Sequence, residues 1–205
     1  MLTVAIISQK GGSGKTTIAV HLAVCAERMQ QRSAIIDLDP QASALEWASR
    51  RKTDTPEVIK AMAEQLPTLL NQAQANGATF TIIDTAPHSD YAATIAASLA
   101  DLILIPCRPS AFDIAAIPTT LNILGLTDCK DHAAILLNAV PTQGNLGSEA
   151  ASGLATLARV VPVRLRHRAA YAHAVNGGQS VEEFDPKGKS SDEIRALYRW
   201  IMTIK

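Results

Sequence analysis

Val4-Ala5-Ile6-Ile7, then Lys10-Gly11-Gly12-Ser13-Gly14-Lys15-Thr16-Thr17, then Ile18-Ala19-Val20-His21-Leu22-Ala23: these residues, read in order, decide the fold. An apolar run, a glycine loop and a helical pattern form the strand–loop–helix context in which this spacing becomes a phosphate site. Gly11, Gly12 and Gly14 let the backbone curl so that successive N–H groups, through Ser13 to Thr17, converge on phosphate oxygens. A helix starting near Lys15 adds its positive end. The Lys15 ammonium can reach β- and γ-phosphates, and the Thr16 hydroxyl suits Mg²⁺. Lys10 is surplus, because a plain nucleotide loop does not need a lysine five residues before the phosphate lysine.

Working outward, apolar runs rich in β-branched residues alternate with helical stretches. Strands are expected over 3–8, 33–37, 80–84, 101–106, 133–138 and about 160–164, and they lack strict alternation, as when both faces are covered. Helices are expected over 15–31, 62–76, 90–99, 111–125, 147–156, 169–175 and 192–204. Gly77 ends the second, Pro118 kinks or restarts the fourth near Ile117, and Ser190 or Ser191 caps the last. Residues 42–61 carry no clear period, and their Arg50-Arg51-Lys52 run reads as a solvated helix end.

This order implies an α/β fold: a mostly parallel twisted sheet with helices on both faces, a P-loop NTPase three-layer sandwich. No linker or repeat interrupts it, so residues 1–205 read as a single domain built on the phosphate loop. Apolar residues make up 47% of the 205 and aromatics only 4%, which suits close-packed alanine-rich helices over a sheet. No apolar run reaches the roughly 18 residues of a membrane span, and the first strand lacks the flanks of a signal peptide. The expected location is cytoplasmic. Cys25, Cys107 and Cys129 are widely spaced and read as reduced structural thiols.

Ligands on such sheets sit at the carboxyl ends of strands, and polar residues gather there. Asp37-Leu38-Asp39-Pro40-Gln41 follows the second expected strand, Asp84-Thr85-Ala86-Pro87 the third, and Asn138 ends the fifth. Acids at strand ends beside a phosphate loop are what a Mg²⁺–nucleotide site needs: one holds the metal or its waters, another orients the attacking water.

These motifs together resemble the ParA/MinD family of deviant Walker ATPases, and in size the short ParA-type (ParF-like) partition ATPases, which implies that residues 1–205 are a single P-loop ATPase domain with no N-terminal DNA-binding domain. The likeness extends through Pro106-Cys107-Arg108-Pro109-Ser110-Ala111-Phe112-Asp113 and through 168–181. It implies ATP/ADP and Mg²⁺ as ligands and a weak Mg-dependent ATPase. By resemblance, Lys10 crosses a homodimer interface to the partner's nucleotide, Lys15 binds phosphate, Thr16 ligates Mg²⁺ and Asp39 positions water. Asp37 and Asp84 are outer-sphere metal partners, and Asn138 reads adenine with backbone near Pro162 and Val163.

The implied function is ATP-dependent segregation or positioning of a cargo such as a plasmid. It would act on nonspecific DNA at the nucleoid with a small adaptor or centromere-binding partner protein. A MinD-like membrane-surface ATPase, or a relative serving conjugative transfer or organelle positioning, is the alternative.

Charge is uneven although the net is zero. Residues 1–150 carry 10 Lys+Arg against 14 Asp+Glu, and residues 151–205 carry 9 against 5. The C-terminal quarter is therefore the candidate for contact with a polyanion. Arg164, Arg166, Arg168, Lys187, Lys189, Arg195, Arg199 and Lys205 lie there, with Arg168, Arg195 and Arg199 singled out for DNA. The last helix also has Ile194, Leu197, Tyr198, Ile201 and Met202 on one side, a face for the domain core or, in the alternative reading, a lipid surface.

Overall fold

The computed structural model describes residues 1–127 and 129–204, so the expected contribution of Lys205 lies outside the described residues. Seven strands form one parallel sheet: β1 (Leu2–Ile6), β2 (Ser33–Asp37), β3 (Glu57–Lys60), β4 (Phe80–Asp84), β5 (Leu102–Cys107), β6 (Ala133–Leu137) and β7 (Arg159–Val160). Their order is β3-β2-β4-β1-β5-β6-β7. The chain leaves β1 for one side of the sheet and later crosses to the other, so the loop after β1 stands at the topological switch point, where ligands bind in open α/β sheets.

Alternate residues of each central strand enter opposite cores. Val4, Ile6, Ile35, Ile82, Leu104 and Leu136 face one helix layer, and Ala5, Ile36, Ile83, Ile103, Ile105, Ile135 and Leu137 face the other. Both sides are apolar, which removes the polar–apolar alternation of a half-exposed sheet. The first layer holds α1 (Lys15–Arg28), α2 (Ser43–Ser49), α8 (Ala169–Asn176), α9 (Val181–Phe184) and α10 (Lys189–Met202). The second holds α3 (Leu66–Ala75), α4 (Asp90–Leu99), α6 (Ile117–Gly125) and α7 (Leu146–Leu154), while α5 (Ala111–Ala115) runs into α6. Buried Ala92, Ala93, Ala96 and Ala97 bring α4 close to the sheet.

The expected helix over 111–125 breaks at Ala116 and restarts at Ile117 with Pro118 in its first turn, where a missing N–H costs nothing. Ser110 caps α5 by accepting from Asp113 N, and the Asp113 carboxylate bonds back to the Ser110 hydroxyl. Gly77, at φ +85°, follows α3 as expected. The first turn of α10 begins earlier than expected, behind Gly188. Ser191 is not its cap, because its hydroxyl donates to the Val181 and Asp185 carbonyls and ties α10 to α9. Ile194, Leu197, Tyr198 and Ile201 are buried in the first core, so that face of α10 packs on the domain and is not presented to a membrane. Among the described residues no helix is long and apolar enough to cross one.

Residues 42–61 resolve into α2 and the edge strand β3, and the Arg50-Arg51-Lys52 reading needs correction. The Arg51 side chain is only 4% exposed. All five of its N–H donors are used, by Thr55 O, Gly178 O, Thr53 Oγ1 and both Glu183 oxygens, while its guanidinium lies 4.5 Å from the Trp47 ring centroid. Trp47 Nε1 donates to Gln179 O at 3.1 Å. The turn 178–183 therefore locks the end of α2.

Gly178 makes that approach possible: it has φ +67°, and a Cβ there would stand 2.6 Å from the Arg50 carbonyl carbon and oxygen. Gly178→Ala should lower stability by about 2 kcal/mol through left-handed strain and backbone collision. Urea denaturation checks it, and an unchanged midpoint would mean that the two segments are not held this closely in solution.

Candidate nucleotide site

The glycine loop closes on the N-terminus of α1. Gly14 caps that helix at φ 97°, ψ 23°, a left-handed conformation that suits glycine, and any side chain there would collide with Asn138 Nδ2. Asn138 Nδ2 donates to Ser13 O at 2.7 Å, and its Oδ1 accepts from Ala139 N at 2.8 Å. The amide expected from resemblance to read a base is thus also a clamp on the loop.

Lys15 is buried, with Nζ donating to Ser8 O at 3.3 Å. Burial pulls its pKa down while the charges of Asp84 and Asp39 pull it up. Lys10, five residues earlier, is exposed.

The acids meet at the carboxyl ends of β2 and β4, where Asp37 and Asp84 are directly paired in the sheet register. Asp37 is fully buried, and its two oxygens accept from Asp39 N and Ala44 N, both at 3.0 Å. Its carboxylate therefore shapes the 37–44 loop and caps the start of α2. Burial raises the Asp37 pKa, and those amides oppose the rise. Asp39 accepts from Gln41 N at 2.9 Å and reaches the cavity.

Asp84 is the unsatisfied member: among the described residues neither oxygen has a partner of good hydrogen-bond geometry. Burial pushes its pKa up to about 7, with Asp37 adding to the rise, while Thr16 and Lys15 pull the other way.

Two cavities flank the loop. One, of ≈ 230 Å³, is lined by Gly12, Gly14, Lys15, Thr16, Thr17, Asp39 and Pro87. The other, of ≈ 370 Å³, shares Gly14 and Thr17 with it and extends past Asn138 to Leu165, Arg166, Arg168 and Tyr171. The first has the loop N–H groups and Lys15 of a phosphate site, and the second is more apolar and of a size for a base and ribose. Asn138 lines it, but Pro162 and Val163 do not. After β7 the chain stays beside β6, with Leu165 N donating to Leu137 O at 3.0 Å and Arg166 bridging to Val140, and the lining falls on Leu165–Arg168 instead. The unpartnered Asp84 oxygens and Ser13 hydroxyl, beside Thr16 and Lys15, suit a phosphate-bound cation and its waters.

Sequence reasoning passed over two lining residues. His21 is buried on α1, accepts from Val181 N at 3.2 Å, and is held neutral, its pKa pushed down to about 3 mainly by burial. Arg108, between two prolines at the end of β5, is exposed beside the loop. Its strand-end position was the available signal.

Residues 4–183 match the CobQ/CobB/MinD/ParA nucleotide-binding domain. The chain belongs to this family. It is 31% identical over 202 residues to Maintenance of carboxysome distribution protein A of Gloeobacter kilaueensis, covering 96% of this chain and 90% of that protein. In fold it is similar to MinD in the MinC:MinD complex of Aquifex aeolicus, with TM-score 0.82, 16% identity, and 99% and 96% of the two chains covered. It is also similar to an ATP complex of Cyanothece McdA, with TM-score 0.76, 18% identity, and 100% and 96% covered. Members of the ParA/MinD family are P-loop ATPases, and the loop, Asp37 and Asp84 stand here on the all-parallel sheet of that fold.

The Asp84 shift has a consequence for this domain without nucleotide. Folding raises the pKa from 3.8 to about 7, so the folded chain holds a proton that the unfolded chain has released. That contribution is full below pH about 4 and is lost as pH rises through about 7. Asp84→Asn should therefore be more stable than the parent at pH about 8, by about 1 kcal/mol or more, with the difference shrinking toward pH about 5. Thermal melts across this range check it, and a pH-independent difference would contradict the assignment.

Proposed function

We propose that this chain is a weak Mg²⁺-dependent ATPase whose ATP-bound homodimer binds nonspecific DNA and positions or segregates a large cargo. The observation that carries the reading is the contrast between the two lysines of one loop. Lys15 is buried in the phosphate cavity, whereas Lys10 is exposed and has no side-chain partner among the described residues. A cation presented outward beside its own phosphate site suits a phosphate on a second copy of the chain, which ties dimerisation to ATP.

The loop amides and Lys15 bind the phosphates, the Thr16 hydroxyl would hold Mg²⁺, and Asp84 and Asp37 would hold its waters. When bound, Mg²⁺ offsets the charge that spreads over the transferring phosphoryl group. Asp39, at the mouth of the cavity, orients the attacking water. The hydrogen bond that its backbone N–H donates to Asp37 Oδ1 and the one that its carboxylate accepts from Gln41 N keep the carboxylate there.

The DNA surface is smaller than the C-terminal charge suggests. Arg168 is paired with Glu193 at 2.8 Å, and Arg195 is paired with Glu182 at 3.0 Å and Asp192 at 2.8 Å. These carboxylates neutralise two of the three arginines expected to meet DNA. Arg199 remains exposed, with Lys187, Lys189 and Arg28 also exposed. Arg28 ends α1 and Arg199 lies in the last turn of α10, two helices of the same layer. Two chains would double this field. The cargo is a plasmid or, as the name of the Gloeobacter relative suggests, an organelle-like body, engaged through a small adaptor or centromere-binding protein.

Asp39→Ala should bind ATP and persist as a dimer in size-exclusion chromatography with ATP. Lys10→Ala should retain ADP binding as a monomer while ATP-dependent dimerisation falls at least tenfold. A monomeric Asp39→Ala protein would contradict the water-positioning role.

On long random DNA at about 100 mM salt, a band shift should require ATP and weaken with Arg199→Glu. ATP-independent binding, or none, would remove DNA from the function.

A further inference from the structure

Three guanidinium groups stand at the mouth of the ≈ 370 Å³ cavity: Arg108, Arg166 and Arg168. Two are committed within the chain. Arg166 Nη1 donates to Pro141 O at 2.7 Å, and Arg168 is held by Glu193 through Nε at 2.9 Å and Nη2 at 2.8 Å. Arg108 has no side-chain hydrogen bond or ion pair among the described residues.

Its backbone, by contrast, is fixed. Pro106 lies in β5 and Pro109 is buried. Asn138 N donates to Cys107 O at 2.8 Å, and Ser110 N donates to Arg108 O at 2.8 Å. From this base the guanidinium reaches the glycine loop, where a Cβ on Gly12 would lie 3.8 Å from Arg108 Nη2. The positive end of α1, the loop N–H groups and the Lys15 ammonium are already gathered there. A further cation on the same loop is repelled by all of them until an anion lies between. The phosphate chain of a nucleotide spanning the two cavities must pass Gly14 and Thr17, which both share.

Resting on the ATPase reading, we propose that Arg108 is a binding residue for the phosphate chain of the nucleotide held by its own protomer, closing over it from the β5 side. The Arg108 cation replaces water on a non-bridging phosphate oxygen, and its planar fork can take two oxygens at once. It therefore contributes before any second copy arrives and acts on ADP as well as ATP. Its role is distinct from that of Lys10, which acts in the dimer.

The test uses the full chain as a monomer with Mg²⁺ and ADP, followed by titration calorimetry. Arg108→Ala should weaken ADP binding about tenfold, leave adenosine binding unchanged and leave Tm unchanged, since the side chain is exposed and unpaired. Arg108→Lys should recover part of the loss. Normal ADP binding by Arg108→Ala with failed ATP-dependent dimerisation would assign the residue to the partner's nucleotide and overturn the proposal. Equal losses for ADP and adenosine would also overturn it by pointing to a damaged cavity. Failure of the parent protein to bind ADP would instead reject the ATPase reading on which the proposal rests.

Discussion

Two carboxylates, Asp37 and Asp84, stand side by side on neighbouring strands in a water-poor interior, and the site is arranged around that fact. Like charges this close cannot both ionise without a compensating cation or donor. Asp37 is compensated by the amides of Asp39 and Ala44, which sets the loop that carries Asp39. Asp84 has no hydrogen-bond donor of good geometry among the described residues, and burial raises its pKa. The domain therefore keeps an incomplete electrostatic arrangement where Lys15, Thr16 and the loop amides converge, and a phosphate-bound cation would complete it.

The same constraint explains the strand order. A carboxylate at the end of β4 can meet the phosphate loop only if β4 lies beside β1, and it can meet Asp37 only if β2 lies on its other side. The order β2-β4-β1 satisfies both. The nucleotide site is then tied to the C-terminal region by long-range contacts: Arg51 to Glu183, Trp47 to Gln179, and His21 on α1 to Val181. These place α2, α1 and the 178–183 turn in one packed layer.

Much of the fold was legible because its signals are contiguous. The central strands, α4 at 90–99 and the restart at Ile117 follow from apolar runs, a Pro and their neighbours. The edges were less so. β3 is four residues long with both ends exposed and builds up too little pattern to stand out, while β7, which pairs through Arg159 and Val160 alone, meets only the start of the strand expected over about 160–164. The phosphate loop and the strand-end acids were legible for the same reason as the core. The lining of the larger cavity was displaced from Pro162 and Val163 to Leu165–Arg168, because which residues reach it depends on how far the chain runs on beside β6 and Val140, and not on local preference.

The charged residues divide most clearly. By itself the sequence determined the parallel α/β architecture, the phosphate loop with its surplus Lys10, and the acids at the ends of β2 and β4, since each rests on residues adjacent in the chain or on a strand end. Only the tertiary structure decided which cations are free. Arg51 finds Glu183 and Arg168 finds Glu193 across the fold, Arg195 finds Glu182 on the preceding helix, and Arg108, beside the loop, finds no partner among the described residues. A guanidinium has the same formula in every case. Whether its charge is spent within the molecule or left for a ligand depends on which carboxylate the packing brings within about 3 Å, and no local pattern in the chain encodes that distance.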